Sequence, residues 1–218
     1  MFGNVMKTAG KKVKPPKKDA RVLRTRDRLG DALIALMKEQ PFDQITVQQV
    51  LDRAEVSRST FYTHYTGKED LFLGDVDDFW EYMSTRLARH GEKSNRVAPV
   101  RELFAHVADV GEFRAALQAS GRVHDVLELG RGHFARAIEK RLTELSQANR
   151  SDSGRNAVLA EMFSGALFAL LDRWLNASEK ETPAQMDDLF HQMVWGALGA
   201  TAREKNVTTA REMSRSKH

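Results

Sequence analysis

The segment TVQQVLDRAEVSRSTFYTHYTGKEDL, residues 46–71, contains three places where a helix can begin. Thr46, followed by Gln49 three residues later, has the form of a capping box, in which two side chains cap the first turn of a helix. Ser57 is a second candidate for the N-cap position. The helical pattern is interrupted at Thr66-Gly67, and a longer stretch with apolar residues at helical spacing follows. The segment therefore predicts two short helices separated by a tight turn and followed by a long helix.

An extended strand through Ile45 and Val47 is the competing interpretation of the start of this segment. Both residues alternate with polar ones, as in a strand with one buried face. The alternation ends where Val50 and Leu51 stand side by side. We therefore expect a helix whose apolar residues, from Val47 to Ala54, face inward.

The residues before the segment predict a longer helix. Leu29, Leu33, Leu36 and Met37 recur at spacings of three and four, which places them on one helical face. Because proline restricts the residue before it, this helix should end before Pro41. The first 66 residues then hold three helices, and the last two have the form of a helix-turn-helix.

The first turn of the third helix, predicted over residues 58–64, carries side chains suited to base recognition. Arg58, Ser59 and Thr60 present hydrogen-bond donors and acceptors of the kind that meet base edges in a major groove. The alternative is that they are ordinary surface residues of a helical protein.

Three further side chains lie along the same stretch. Tyr62, His64 and Lys68 can donate to phosphate oxygens, and such contacts position a protein on DNA rather than read its sequence. The same alternative applies to Tyr62 and His64, and Lys68 can also simply follow a helix cap.

The segment also resembles the DNA-binding signature of TetR-family bacterial transcriptional regulators. The match covers residues 22–72 and rests on an ordered run: Thr46, then Ala54-x-Val56-Ser57, Thr60-Phe61-Tyr62, His64-Tyr65 and Lys68-Glu69-x-Leu71. The resemblance implies that one group of side chains contacts the phosphate backbone, namely Thr46, Tyr62, His64 and Lys68. It implies that a second group contacts base edges, namely Arg58, Ser59 and Thr60. Together with the cap Ser57, these residues form the predicted DNA-binding set. The resemblance also implies that Phe61 and Tyr65 lie in the core.

One residue departs from the pattern of the family. Glu55 stands where a turn glycine is common. If the backbone there needs a positive φ angle, a residue with a Cβ atom carries a strain of about 1 kcal/mol. We therefore expect strain in the turn without a change of fold.

The chain beyond residue 89 keeps a helical pattern, broken by a polar stretch at residues 90–99. The last helix has a defined start, because Thr182-Pro183-Ala184-Gln185 combines an N-cap, a proline at the first helical position and a returning glutamine. The sequence therefore predicts an all-α protein of about nine helices. We divide it into a basic tail (residues 1–20), a helix-turn-helix domain (21–68) and a C-terminal helical bundle (69–218).

For the C-terminal bundle, the resemblance implies dimerisation through the last two long helices and a pocket for a small-molecule effector. Small residues such as Gly165, Gly196 and Gly199 allow close helix approach, although both helices can equally be intramolecular core. The candidates to line an apolar pocket are the large side chains Trp80, Met83, Phe134, Phe163, Phe168 and Trp174. An aromatic residue on a helical stripe is more often core packing, so no single one is preferred.

The net charge of +4 is unevenly distributed along the 218 residues. Residues 1–28 carry ten Lys/Arg and two Asp, a net +8, so the rest of the chain is slightly acidic. The lysine-rich start, interrupted by Pro15 and Pro16, has too little apolar surface to offset the entropy of ordering. We expect residues 1–20 to be disordered.

Several other classes of protein are disfavoured by the sequence. There is no cysteine, which removes disulfides and thiolate chemistry and is typical of a cytoplasmic protein. No secretory leader, membrane-spanning run, histidine pair at metal-ligand spacing or serine nucleophile motif is found. Gly130-x-Gly132-x-x-Ala135 matches a relaxed dinucleotide fingerprint, but it lies between helical segments, and we expect Gly130 to end a helix. We predict no catalytic, cofactor or metal site.

These observations favour a DNA-binding regulator. The resemblance implies that it is a homodimeric repressor, which binds a near-palindromic operator in double-stranded DNA and is released by a small-molecule effector. The alternative is a helical ligand-binding or scaffolding protein that no longer reads DNA. The sequence leaves the operator, the effector and the regulated genes open.

Overall fold

The computed structural model of the chain describes residues 17–91, 93–145, 153–177 and 180–215. Over these residues the fold is all-helical, with ten α-helices, one 3-10 turn and no strand, so the predicted all-α class is confirmed. The elements in chain order are α1 (Lys17–Glu39), the 3-10 turn (Phe42–Gln44), α2 (Val47–Ala54), α3 (Arg58–Tyr62), α4 (Lys68–Ser84), α5 (Arg86–Arg89), α6 (Val100–Asp109), α7 (Gly111–Ala119), α8 (Val123–Leu145), α9 (Ser153–Asn176) and α10 (Pro183–Arg215).

The first helix begins earlier than predicted. Residues 17–20, assigned by sequence to a disordered tail, form the first turn of α1. They lie beyond Pro16 and include lysine and alanine, both good helix formers, so nothing local stops the helix from extending back to Lys17. The rest of the predicted tail, residues 1–16, lies outside the described residues.

The three N-terminal helices share one apolar core. The predicted inward face of α1 is buried, as are Phe42 and Ile45 in the connection to α2. Ile45 is extended, but Val47 already begins α2, so the competing strand does not form. Phe61 and Tyr65 are buried beneath α3, as the resemblance implies.

Glu55 ends α2 in the left-handed conformation, with φ of 50° and ψ of 46°. It is the only non-glycine residue with a positive φ among the described residues, which confirms the expected departure. Two backbone bonds close the turn: the amide of Val56 donates to the Leu51 carbonyl (3.1 Å), and that of Glu55 donates to the Asp52 carbonyl (3.3 Å). Arg28 donates to both the carbonyl and the carboxylate of Glu55, each at 3.2 Å. The guanidinium of Arg28 therefore stabilises the strained residue.

The long helix α4 joins the N-terminal helices to the remaining ones. It packs on α1 on one side and on α8 on the other, and α8 lies along α9. The helix α6 packs on α10, and α7 returns to contact α1. A movement of α7 can thus reach α1 directly, and a movement of α8 can reach it through α4.

The start of α10 is fixed by the cap and by a buried polar cluster. The predicted capping box forms, because the Thr182 amide donates to Gln185 (2.8 Å) and the Gln185 amide donates back to the Thr182 hydroxyl (3.3 Å). Asp187 accepts hydrogen bonds from the Arg96 guanidinium (2.7 Å) and from the Arg101 amide (3.0 Å). These contacts attach α10 to the loop before α6.

Gly130 lies in the interior of α8, so the prediction that it ends a helix is wrong. The helix α8 continues through Gly130, and because this residue has no side chain, the rings of Trp80 and Phe168 can pack against the backbone there. A Cβ atom at Gly130 would lie 2.6 Å from Trp80 and 2.7 Å from Phe168. The glycine therefore serves close packing between α8, α4 and α9. Among the described residues before Gly130 there is no strand, so the dinucleotide fingerprint lacks the strand that it requires.

We predict opposite effects of alanine at the two neighbouring glycines of α8. Gly130→Ala should lower the free energy of unfolding by about 1–3 kcal/mol, since overpacking exceeds the gain in helix propensity. Gly132→Ala should raise it by up to about 1 kcal/mol, because its Cβ would meet only Arg136 at 3.5 Å. Urea denaturation of both variants measures the difference. Equal effects would contradict the packing role of Gly130.

Candidate nucleic-acid interface and ligand pocket

The two short helices begin at the capping residues that the sequence indicates. The Thr46 hydroxyl accepts from the Gln49 amide (3.3 Å), and the Gln49 side chain accepts from the Thr46 amide (2.8 Å). The Ser57 hydroxyl accepts from the Thr60 amide (3.2 Å). The hydroxyls of Thr46 and Ser57 thus set the starts of α2 and α3, whatever else they contact.

The outer face of α3 is polar and exposed. Arg58 and Ser59 point outward, and Tyr62 keeps 51% of its surface accessible. Thr60 and His64 are half-buried. The ring of Tyr62 packs edge-on against the buried Phe61, with centroids 5.2 Å apart, which orients the phenol on the surface. The structure therefore brings these predicted residues to one end of the molecule.

Gln48, on α2, was missed by the sequence reasoning. Its side-chain oxygen accepts a hydrogen bond from the Arg58 guanidinium (3.0 Å), and its amide donates to Asp52 (2.8 Å). The chain Asp52-Gln48-Arg58 holds the guanidinium over the space between α2 and α3. In the sequence, the only indication that Gln48 has this role is its position in the first turn of α2, on the polar face of that helix.

In this structure the partners of Lys68 are backbone carbonyl groups, whereas the sequence predicts a contact with a DNA phosphate. Its ammonium donates to three backbone carbonyls, those of Phe42 (2.8 Å), Asp43 (3.1 Å) and Ile45 (2.7 Å). An ammonium has three protons, so these bonds use all of its donors. In this structure Lys68 fixes the 3-10 turn before α2, and a phosphate contact would require it to release a carbonyl. That contact stays a prediction.

Under α3, one arginine joins the N-terminal helices to α4. Arg26 donates to the Tyr65 hydroxyl (2.9 Å) and pairs with the Asp78 carboxylate (2.9 Å). Burial raises the pKa of Tyr65, so the phenol stays protonated. Tyr65 lies just after α3 and Asp78 lies in α4, so Arg26 connects the two elements.

An apolar pocket lies between α1 and the C-terminal helices. Its cavity volume is about 100 Å³. Its apolar walls come from six helices: α1 (Leu33, Ile34), α4 (Phe72, Val76, Phe79, Trp80), α6 (Val107), α7 (Leu117), α8 (Val123, Val126, Leu127) and α9 (Leu171, Leu175), together with Val110. The pocket thus touches both a helix of the N-terminal domain and the bundle.

Three polar side chains line this pocket. Asp75 has its pKa raised to about 7, first by burial and then by the nearby Asp78. Burial lowers the pKa of His106, so its ring is neutral at pH 7. Arg114 donates to the Leu175 carbonyl (2.8 Å). The lining surface itself is almost entirely apolar, so the polar atoms of these three residues contribute little to it.

Of the six large side chains considered for a pocket, one lines this cavity. Trp80 forms part of the wall, and its indole donates to the Val126 carbonyl (2.8 Å). Met83 lines a second, neighbouring pocket with Tyr82 and Arg86. The other four are buried in the core: Phe134, Phe163, Phe168 and Trp174.

Exposed apolar side chains form a stripe on each of the last two helices. On α9 the stripe holds Val158 and Met162, which are 61% and 63% exposed. On α10 it holds Leu189 and Met193, which are 50% and 40% exposed. The next position on each stripe is a glycine, Gly165 or Gly196, at which an added Cβ would meet no atom within 4 Å. These faces are apolar and open.

The helices α2 and α3 form a helix-turn-helix, and Phe61 and Tyr65 beneath α3 are buried. These features define the class of helix-turn-helix proteins. Residues 29–74 match the model of the family described as bacterial regulatory proteins, tetR family. Over these N-terminal residues the chain is similar to the TetR family.

Two curated relatives share similarity with part of the chain. The uncharacterized HTH-type transcriptional regulator YxbF of Bacillus subtilis is 35% identical over 72 residues, which is 33% of this chain and 18% of that protein. IcaR of Staphylococcus epidermidis, a negative transcriptional regulator of the biofilm operon icaADBC, is 24% identical over 88 residues, 40% of this chain and 48% of that protein. The chain thus spans less than half the length of each of these relatives.

Solved structures extend the likeness to most of the chain. A TetR transcriptional regulator from Streptococcus agalactiae superposes with a TM-score of 0.54 at 24% identity, covering 81% of this chain and 97% of the other. Lin0861 from Listeria innocua gives a TM-score of 0.56 at 16% identity, covering 84% and 96%. This likeness shows the fold over most of the chain, including most of its helical C-terminal part. In addition, no helix among the described residues is long and apolar enough to span a membrane.

We predict that Asp75→Asn stabilises the protein more as the pH rises. The folded state keeps the Asp75 proton up to about pH 7, whereas the unfolded chain releases it near its usual value of 3.8. The free energy of unfolding of the wild type therefore falls as the pH rises from 3.8 to about 7, by up to about 1.4 kcal/mol per pH unit. The variant has no carboxyl group at this position, so its free energy of unfolding does not fall for this reason. Urea denaturation at pH 5, 6, 7 and 8 should show a difference that grows and then levels off above pH 7.

The control for this measurement is Asp125→Asn, an equivalent change at an exposed position of α8. Its difference from the wild type should stay constant across the same range. A constant difference for Asp75→Asn would contradict the raised pKa.

Proposed function

We propose that the protein is a cytoplasmic, homodimeric transcriptional regulator that binds a near-palindromic operator and represses transcription. The observation that carries this proposal is the polar, exposed face of α3, held on the buried Phe61 and Tyr65 within the segment that matches the TetR family. The naming of IcaR as a negative regulator supports repression. In this proposal the chain acts by binding and not as an enzyme.

Within the interface, the exposed side chains divide into two groups. Arg58 and Ser59 are exposed on the first turn of α3, with the half-buried Thr60 beside them, and in this proposal the three face the base edges. Gln48 orients Arg58 through the 3.0 Å hydrogen bond and so restricts which base the guanidinium meets. These residues determine sequence preference.

The second group holds the phosphate backbone. Tyr62 and His64 donate from the end of α3, and Thr46 donates from the start of α2. Lys68 contributes its charge and keeps the turn before α2 in place through its three carbonyl bonds. We therefore treat Lys68 first as a positioning residue of the interface. The helix-turn-helix domain spans residues 21–68, and the bundle spans residues 69–218.

Dimerisation follows from the exposed stripes on α9 and α10. Val158 and Met162 on one helix, and Leu189 and Met193 on the other, present apolar surface that a second copy can bury. The glycines at the next positions permit close approach of backbones. A two-fold dimer can place its two α3 helices in successive major grooves, about 34 to 36 Å apart.

The apolar pocket is the proposed effector site. Its walls include Leu33 and Ile34 of α1, so a bound molecule touches the N-terminal domain directly. Release from DNA requires the effector to bind more tightly to a conformation in which the two α3 helices no longer fit adjacent grooves. The contact of α1 with the pocket provides a short route for that coupling.

We predict that two substitutions on α3 weaken operator binding in different ways. Tyr62→Phe removes one hydroxyl donor, so affinity should fall roughly tenfold for all sequences alike. Arg58→Ala should cost about 1–3 kcal/mol at the preferred sequence and relax the preference at one base pair. Fluorescence anisotropy against genomic fragments, starting with the region upstream of the gene, measures both. Lys140→Ala, an exposed charge change on α8, should leave binding unchanged.

The same titration tests the function as a whole. Specific binding should weaken with salt at a logarithmic slope of about −0.9 per phosphate contacted. If binding is neither sequence-specific nor salt-dependent, the protein is instead a helical ligand-binding or scaffolding protein that does not read DNA.

We predict that charge on the two apolar stripes separates the dimer. The double variant Met162→Glu/Met193→Glu would bury four carboxylates in the interface, so it should sediment as a monomer at micromolar concentration. Operator affinity should fall at least tenfold, since each monomer reaches only one half-site. Leu73→Glu, at another exposed apolar position, should remain dimeric. A dimeric double variant would place the interface elsewhere.

A further inference from the structure

The pocket between α1 and the C-terminal helices has an almost entirely apolar lining surface and a cavity volume of about 100 Å³. Protein interiors are otherwise close-packed, with few voids larger than a water molecule. A water molecule in a cavity needs about two to four polar partners, and this lining offers almost none. The space is therefore suited to an apolar occupant and poorly suited to water.

The acidic residue of the lining does not present its carboxyl to the cavity. The Asp75 carboxyl lies against the backbone of α1, because a Cβ atom added at Gly30 would overlap one of its oxygen atoms. Burial raises the pKa of Asp75 to about 7, and the nearby Asp78 adds to this shift. The carboxyl is thus enclosed by protein and directed at Gly30.

Two nitrogen donors on residues of the pocket wall are held by backbone carbonyls. The Arg114 guanidinium donates to the Leu175 carbonyl (2.8 Å), in the last turn of α9. The Trp80 indole donates to the Val126 carbonyl (2.8 Å), so its ring contributes apolar surface to the wall. These bonds direct both groups at the protein backbone.

His106 is the remaining titratable residue of the lining. Its ring packs against the ring of Phe79, with centroids 4.8 Å apart and an angle of 32° between the planes. Burial lowers the pKa of His106, so the ring is neutral at pH 7. The cavity therefore presents almost no charge and almost no hydrogen-bonding group to a molecule inside it.

We propose that the effector of this protein is an uncharged hydrocarbon of about the size of one aromatic ring, held in this cavity by apolar contacts alone. This inference rests on the proposed function, in which the pocket is the effector site. A dry apolar cavity of roughly 150 Å³ holds one benzene molecule. A cavity of about 100 Å³ thus has room for one ring and not for two. Because Leu33 and Ile34 belong to the wall, the hydrocarbon contacts α1.

Three probes built on one benzene ring measure this preference. Toluene and phenol have nearly the same shape, and benzylamine is a cation at neutral pH. Isothermal titration calorimetry on the full chain, without DNA, should give at least about tenfold tighter binding of toluene than of phenol, because a buried hydroxyl would lack a partner. Benzylamine should bind at least about a hundredfold more weakly than toluene, because its charge would lose its hydration.

Two variants locate the binding in this cavity. Val107→Phe fills part of the space, so toluene binding should weaken at least about tenfold. Leu117→Ala enlarges the space, so butylbenzene should gain at least about fivefold in affinity relative to toluene, since more of its alkyl chain is buried.

The control is Leu73→Phe, which adds a ring at an exposed position of α4 and should leave toluene binding unchanged. Thermal unfolding shows whether each variant is folded, and Leu117→Ala keeps the test valid if Val107→Phe does not fold. Four outcomes overturn the proposal: no binding of toluene, equal binding of toluene and phenol, unchanged toluene affinity in folded Val107→Phe, and an unchanged ratio of butylbenzene to toluene affinity in folded Leu117→Ala.

Operator binding by the same samples is measured separately. Saturating toluene should weaken specific operator binding at least about fivefold. If toluene binds in the cavity and leaves operator affinity unchanged, the hydrocarbon is not an effector and the proposal fails. If toluene binds in the cavity and no specific operator binding is found, the proposed function fails while the assignment of a hydrocarbon-binding cavity stands. If operator binding is found and toluene does not bind, only the present proposal fails.

Discussion

The contact between α1 and α4 is the interaction on which the rest of the structure depends. Arg26 joins α1 to Tyr65 and Asp78, and Gly30 lets the Asp75 carboxyl pack on the α1 backbone. The same two helices bury the base of α3 and form one wall of the pocket. The residues under α3 and the wall of the pocket are thus both in contact with this pair of helices.

A second contact between the two parts of the chain lies at the start of α8. The Arg122 guanidinium stacks over the ring of Phe42, 4.3 Å from its centroid, and lies 5.8 Å from that of Phe72. The carbonyl of Phe42 is one of the three that Lys68 holds. Val123, next to Arg122, lines the pocket. A change in the pocket wall therefore has a continuous path of packed groups to the turn before α2.

The local features of this fold could be predicted from the sequence, whereas contacts between distant segments could not. The caps at Thr46 and Ser57 depend on residues three positions away, so a short pattern identifies them. The partners of Lys68 lie 23 to 26 residues upstream, and no spacing indicates them. Gly130 has the same limitation, because only the folded chain shows that Trp80 needs its space. Helical periodicity likewise predicts which face of each helix is buried, but it does not predict the pocket between α1 and the C-terminal helices.

The internal pairing of cations affects how this domain would compete for DNA in a cell. Arg28 is bound to Glu55, Arg53 to Glu39 and Lys68 to backbone carbonyls, so much of the positive charge near α2 and α3 is neutralised or enclosed. Neutral hydroxyl donors such as Ser59 and Tyr62 form a large share of the exposed face. In the proposed function, α2 and α3 would therefore release fewer counterions from DNA than their number of basic residues indicates. Their contribution to nonspecific binding would be correspondingly small.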